Sequence, residues 1–223
     1  MSVSASTYAV VLKDMQSELR TRYALNALVM FVVTTVSIIL FALRGEQPNS
    51  SVLAGMFWVV VFFAAMSGLS RSFVSEEERG TTLTLQLVAA PSIVYFGKLA
   101  FNLVLTLTLV LGVTLVYTVA FPGFTIRSME IFLSTVLLGS LGLASAGTII
   151  AAIIAKANTR GTLYPVLSFP ILIVLLMTVM SATAKSLDGE PFSEALNDLT
   201  VMASYFMVVT AGSYLLFGFI WKD

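Results

Sequence analysis

The chain has 223 residues, 58% of them apolar and only 11% charged, and its 12 Lys and Arg balance its 12 Asp and Glu. It contains no His and no Cys, which excludes disulfides, zinc sites, thiol chemistry and every His-based catalytic arrangement. The neutral balance excludes a nucleic-acid binder of the usual basic kind, and so few charges cannot cover a soluble globule, which leaves an integral membrane protein of one domain, 1–223.

The first element is patterned. Tyr8, Val11, Leu12, Met15 and Leu19 recur at i, i+3, i+4, i+7 and i+11, which makes one stripe of a helix. Lys13, Asp14, Ser17, Glu18 and Arg20 take the other positions. This predicts an amphipathic helix over 7–22 that lies in the membrane interface and leads into the first span; a plain solubilising helix is the alternative. No early basic region with an apolar core and cleavage site precedes it, so no signal peptide is expected.

Six long apolar runs then lack Asp, Glu, Lys and Arg: 23–43, 47–70, 99–126, 131–155, 161–184 and 199–221. Each supplies the roughly 20 residues that a helix needs to cross the hydrocarbon core. None alternates in polarity as barrel strands do. Six transmembrane helices are therefore predicted near 24–43, 52–71, 97–121, 131–155, 162–182 and 200–221.

A further charge-free stretch, 80–97, is diluted by threonines and Gln86 and divided by Pro91. With six spans, Lys13, Arg20, Arg22, Arg71, Arg79, Lys98, Lys156, Arg160 and Lys222 fall on one side, and Arg44, Arg127 and Lys185 on the other. A seventh span would weaken that bias. The enrichment of Lys and Arg in cytoplasmic loops thus predicts six spans, both termini cytoplasmic, and 80–97 as a cytoplasmic-face segment.

The spans hold almost nothing ionisable, so no ion relay is visible. Asn26 and Asn102 are read as helix–helix hydrogen-bonding groups. The small residues of span 4, with pairs Gly142/Ala146 and Ser140/Ala144, are read as close packing within the chain, with a subunit interface as the alternative. Pro170 predicts a kink in span 5 or a freed carbonyl. Trp58 and Phe57 are read as lipid-facing or core filler. The outer segment 185–198, with Asp188, Glu190, Glu194 and Asp198, is read as a hydrated loop or a contact for a partner. Gly97-Lys98 is not the end of a phosphate loop, because Ser92 and Leu99 stand where Gly and Ser or Thr are required.

The densest polar feature is Ser75-Glu76-Glu77-Glu78-Arg79-Gly80-Thr81-Thr82, followed by Leu83, Leu85, Leu87 and Pro91. Ser75 and Glu78 have capping-box spacing, and the glutamates suit the positive end of a helix dipole. The spacing predicts a short cytoplasmic helix over 76–90 that docks into a soluble partner; a solvated charge run is the alternative.

An interfacial helix, two spans, acidic residues followed by Gly80-Thr81, Pro91 and Gly97-Lys98, then four more spans, resembles an ABC-2 type permease of the ATP-binding-cassette class. Within that group the chain is most similar to the haem exporter protein B (CcmB) family of cytochrome c maturation. The stretches that carry this are Leu12-Lys13-Asp14 through Glu18-Leu19-Arg20, Phe57-Trp58-Val59, Gly68-Leu69-Ser70-Arg71-Ser72-Phe73 and Leu163-Tyr164-Pro165-Val166-Leu167-Ser168-Phe169-Pro170.

The resemblance implies an all-α, six-span permease subunit with no catalysis of its own. ATP would bind a partner ATPase, and no cofactor would bind this chain directly. It implies a second copy of the chain, haem-handling membrane proteins and a haem chaperone as partners, in the bacterial inner membrane. It implies ATPase coupling through Glu76, Glu77, Glu78, Arg79, Gly80, Leu83 and Leu87, with spans 1, 2 and 5 tilting in response. His and Cys are the commonest strong haem ligands, so their absence predicts that haem is held by a partner. An ABC-2 exporter of another lipid, drug or polysaccharide, and a non-transporting scaffold, are the alternative functions.

Overall fold

The computed structural model describes residues 3–21, 23–78, 80–156 and 164–222. They form helices throughout, with no strand among the described residues. The order is α1 (Val3–Thr21), α2 (Tyr23–Leu43), α3 (Ser50–Leu69), α4 (Arg71–Glu78), α5 (Thr82–Val88), α6 (Pro91–Ala120), α7 (Met129–Lys156), α8 (Tyr164–Asp188) and α9 (Phe192–Lys222). Six helices, α2, α3 and α6 to α9, are long and apolar enough to cross a membrane. Up-and-down connection puts α1, α4, α5 and the C-terminus at one end of the bundle, the termini face. The short loops 44–49, 121–128 and 189–191 lie at the other.

The span centres agree with the apolar runs, but several ends move. α6 begins at Pro91 rather than 97, because proline is well suited to the first turn of a helix. At 30 residues it is about 45 Å long, more than the roughly 30 Å hydrocarbon core requires. Its first turns therefore extend toward the termini face. α8 and α9 also run further than expected, so 185–198 is not a hydrated loop; only residues 189–191 separate the two helices. Lys185 pairs with Asp198 at 3.0 Å, and Ser50 donates to Asp188. Gly189 at φ +78° closes α8, with the Glu190 N–H bonded back to the Lys185 carbonyl. The expected start of span 5 at 162, and Arg160, lie outside the described residues.

α7 is the central helix and packs on α6, α8 and α9. Its small residues are used inside the chain. A Cβ on Gly139 would meet Trp58 at 2.8 Å, one on Gly142 would meet Leu175 at 2.7 Å, and one on Gly147 would meet Leu69 at 2.6 Å. This favours the packing reading of the small-xxx-small pairs. Asn102 donates to Thr148 at 2.8 Å and ties α6 to α7 as expected. Asn26 does not share that role; it is exposed on α2. Trp58 and Phe57 are core residues, and the indole N–H donates to Thr183 at 2.8 Å. Asn49 caps α3 by accepting from the Val52 N–H. Pro170 lies inside α8, which continues through it.

Candidate functional site

The 76–90 segment is not one helix. Its first residues end α4, which starts at Arg71, and a turn at Gly80 separates α4 from α5. Gly80 takes φ +64°, a left-handed conformation that favours glycine. The Thr81 N–H returns to the Glu76 carbonyl at 3.0 Å, the six-to-one bond of a Schellman stop. Two expectations are corrected with it. Ser75 lies within α4 rather than at its N-cap, so Ser75 and Glu78 form no capping box. Glu76, Glu77 and Glu78 occupy the last turn, where the helix dipole opposes negative charge.

Other elements provide what the dipole does not. Glu76 is buried, and the buried ammonium of Lys98 on α6 lies 3.1 Å from its Oε1. Lys13 of α1 donates to the same oxygen, and the Thr81 hydroxyl donates to Oε2 at 2.6 Å. Burial alone raises the pKa of Glu76. The Lys98 charge and the hydrogen bonds from Lys13 and Thr81 outweigh it and hold the carboxyl down to about 2. Glu76 is thus an anion at any physiological pH.

Lys98 is the hub. Only 1% of it is exposed. It donates to the Ser72 carbonyl at 2.8 Å and sits 2.9 Å from Asp14 Oδ2 on α1. The Phe73 ring lies 5.6 Å away and offers its face. One cation thereby joins three helices: α1 by Asp14, α4 by Glu76 and Ser72, and α6 on which it stands. The close approach needed for this rests on Gly97. A Cβ there would stand 2.7 Å from Val10 Cγ1 and 2.8 Å from Val10 Cβ. The exposed side of α1 is the apolar stripe, with Tyr8, Leu12 and Met15 open, which suits an interfacial helix. Its inward face is Val10 and Asp14, so Asp14 is not part of a solvated flank.

α5 is anchored differently. Gln86 donates to the Trp221 carbonyl at 2.6 Å, so α5 is pinned to the end of α9. Trp221 stacks on Phe217, and both contact Phe73. Beyond Gln86, Leu87 and Val88 point away from the bundle, 88% and 82% exposed. The segment is therefore built from a rigid buried root, Glu76, and an exposed apolar tip, Leu87 and Val88.

Of the residues expected at this site, Glu76 is at the ionic centre, Gly80 makes the turn and Leu87 forms the tip. Arg79, and the side chains of Glu77, Glu78 and Leu83, lie outside the described residues. The resemblance includes Gly97-Lys98 in its motif but gives Lys98 no role at the site, and sequence reasoning did not place Lys13 or Asp14 there. One signal was present for Lys98: it is the only charge between Gly80 and Ile126. A lone ammonium at the start of a span must find partners. Nothing local points to Asp14. No group of His, Cys, Asp and Glu suited to a metal is found among the described residues.

Comparison with protein families matches the chain to the CcmB protein family over residues 5–214. Comparison with curated proteins finds no match. The family match covers nearly the whole chain and agrees with six spanning helices at the predicted places. The chain belongs to the CcmB family and is a membrane permease component of the haem-exporting ABC system of cytochrome c maturation.

Proposed function

We propose that this chain couples ATP hydrolysis on a partner ATPase to haem delivery, or to release of a haem-loaded chaperone, during c-type cytochrome maturation. The observation that carries the reading is the α4–Gly80–α5 segment: an exposed Leu87–Val88 tip on a root whose Glu76 is buried against Lys98. An apolar tip is suited to a groove on a soluble partner, since exposed apolar side chains at such a place favour docking. A push on the tip is passed by Glu76 and Lys98 to α6 and, through Asp14 and Lys13, to α1. Thus α6 and α1 are the first helices to respond, and the tilt of the other spans follows from theirs.

The remaining parts of the proposal follow from the charge pattern and the family. The termini face is cytoplasmic, in the bacterial inner membrane, because it carries most of the Lys and Arg. The working unit holds a second copy of this chain and two ATPase chains, beside haem-handling membrane proteins. Haem is held by one of those partners, since this chain offers neither His nor Cys.

The test is a reconstituted complex of this chain with its ATPase. Leu87→Asp is expected to abolish stimulation of ATP hydrolysis and to stop holo-cytochrome c formation in cells. Normal stimulation and normal holo-cytochrome c would sink the reading. Holo-cytochrome c formation that survives deletion of the whole chain would move the substrate to another class.

A further inference from the structure

An apolar groove of about 390 Å³ runs along the outside of the bundle between α2 and α6. Leu28, Val32 and Val33 form one wall, and Leu105, Val113 and Val116 belong to the other. On α6 it extends from Phe101 to Val116, about 22 Å at the rise of a helix. Gly112 leaves its floor open, because a Cβ there would meet no atom within 4 Å. Met15 and Glu18 of α1 close the end nearest the termini face.

We propose that this groove seats one acyl chain of a phospholipid from the leaflet on the termini face, with the head group level with Met15 and Glu18. Three observations select this occupant. The groove lies between two membrane spans, so hydrocarbon rather than water stands at its mouth. Among its described lining residues, Thr108 is the one polar side chain apart from Glu18 at the end, and that hydroxyl already donates to the Val104 carbonyl at 2.8 Å. The wall therefore demands no hydrogen-bonding ligand. The groove alone offers a small fraction of the about 800 Å² that each partner of a standard protein interface buries, so a second copy would have to cover the exposed faces of α2 and α6 well beyond it, whereas one alkyl chain needs only the slot. A long, narrow, dry slot that ends at an interfacial helix has the shape of a single alkyl chain below a head group.

The seat bears on the ionic centre. Met15, at its end, is next in the chain to Asp14, the α1 partner of Lys98. A bound acyl chain fills the space beneath α1 and braces the helix against α6.

The test is native mass spectrometry of the full chain, reconstituted in phosphatidylethanolamine and phosphatidylglycerol vesicles and re-extracted in mild detergent. One phospholipid per chain is expected to stay bound after the loosely held lipids are stripped. Gly112→Trp and Val33→Trp are each expected to lose it, while Gly212→Trp, at another open glycine on α9, keeps it. Thermal unfolding of each variant shows whether it is folded, and Val33→Trp replaces a residue at the groove wall should Gly112→Trp fail to fold. The proposal is overturned by equal retention in the groove variants, by no retained phospholipid in the parent chain, or by an adduct of another class. Val33→Cys tests the second copy directly, since the chain has no cysteine of its own. A disulfide-linked dimer through that position gives the groove to a protein interface and overturns the lipid seat.

Discussion

The ammonium of Lys98 lies 3.1 Å from a carboxylate oxygen of Glu76, 22 residues away in sequence, with both side chains buried. Removing one member of such a pair leaves the other charged and dry. Lys98→Met keeps most of the volume but takes the buried cation from both Glu76 and Asp14, leaving them only the more exposed Lys13 as a cationic partner. We expect it to cost about 3–5 kcal/mol, read as a lowered thermal midpoint in detergent. The double variant Lys98→Met, Asp14→Asn should recover part of that loss. If Lys98→Met melts with the parent, the ionic hub does not hold the termini face together.

Glu76 also predicts a pH dependence. Its pKa falls from 4.5 when unfolded to about 2 when folded. A depressed carboxyl stabilises the fold above its unfolded pKa and loses that contribution as pH falls through the folded value. The contribution is therefore complete above about pH 5 and fades toward pH 2, and it amounts to about 3 kcal/mol at most. Glu76→Gln should lack this part of the acid sensitivity. The check is the difference in thermal midpoint between parent and variant from pH 7 to pH 3, which should shrink on acidification. A constant difference would mean that Glu76 does not titrate as the ion cluster requires.

Gly97 predicts a steric effect with a specific rescue. Gly97→Ala puts a methyl within 2.8 Å of both Val10 Cβ and Cγ1, atoms held close to the α1 backbone. Overpacking of this kind typically costs 1–3 kcal/mol, about the strength of a helix-docking contact. We expect α1 to lift from α6 and trypsin to cut faster at Lys13. Val10→Ala in the same chain removes Cγ1 but keeps Cβ, so it should restore protection only in part. Gly112→Ala, which meets nothing, is the neutral control.

The tip of α5 separates function from folding. Leu87 and Val88 are exposed, so Leu87→Asp and Val88→Asp should change stability by no more than about 0.5 kcal/mol. Both should nevertheless uncouple ATP hydrolysis in the reconstituted complex. Reduced expression or a lowered midpoint in either variant, with hydrolysis still stimulated, would assign the tip to folding instead.

The amino-acid sequence by itself determined the six spans, the amphipathic N-terminal helix and the family. These depend on local quantities: the length of an apolar run, the period of a stripe, a motif within a few residues. It also marked 76–90 as the polar focus of the chain, and within it Glu76, Gly80 and Leu87. Tertiary structure alone decided that Gly80 breaks the segment in two, that the glutamates stand at the wrong end of a helix dipole, and that Lys98 compensates Glu76. It also decided that Asp14 turns inward. The physical reason is distance along the chain. Lys98 meets Asp14 across 84 positions and Glu76 across 22, and no local pattern encodes which buried charge a helix will find when the bundle closes. A lone lysine at the start of a span announces that it needs a partner. Only the packed helices, brought together where Gly97 admits Val10, say which one.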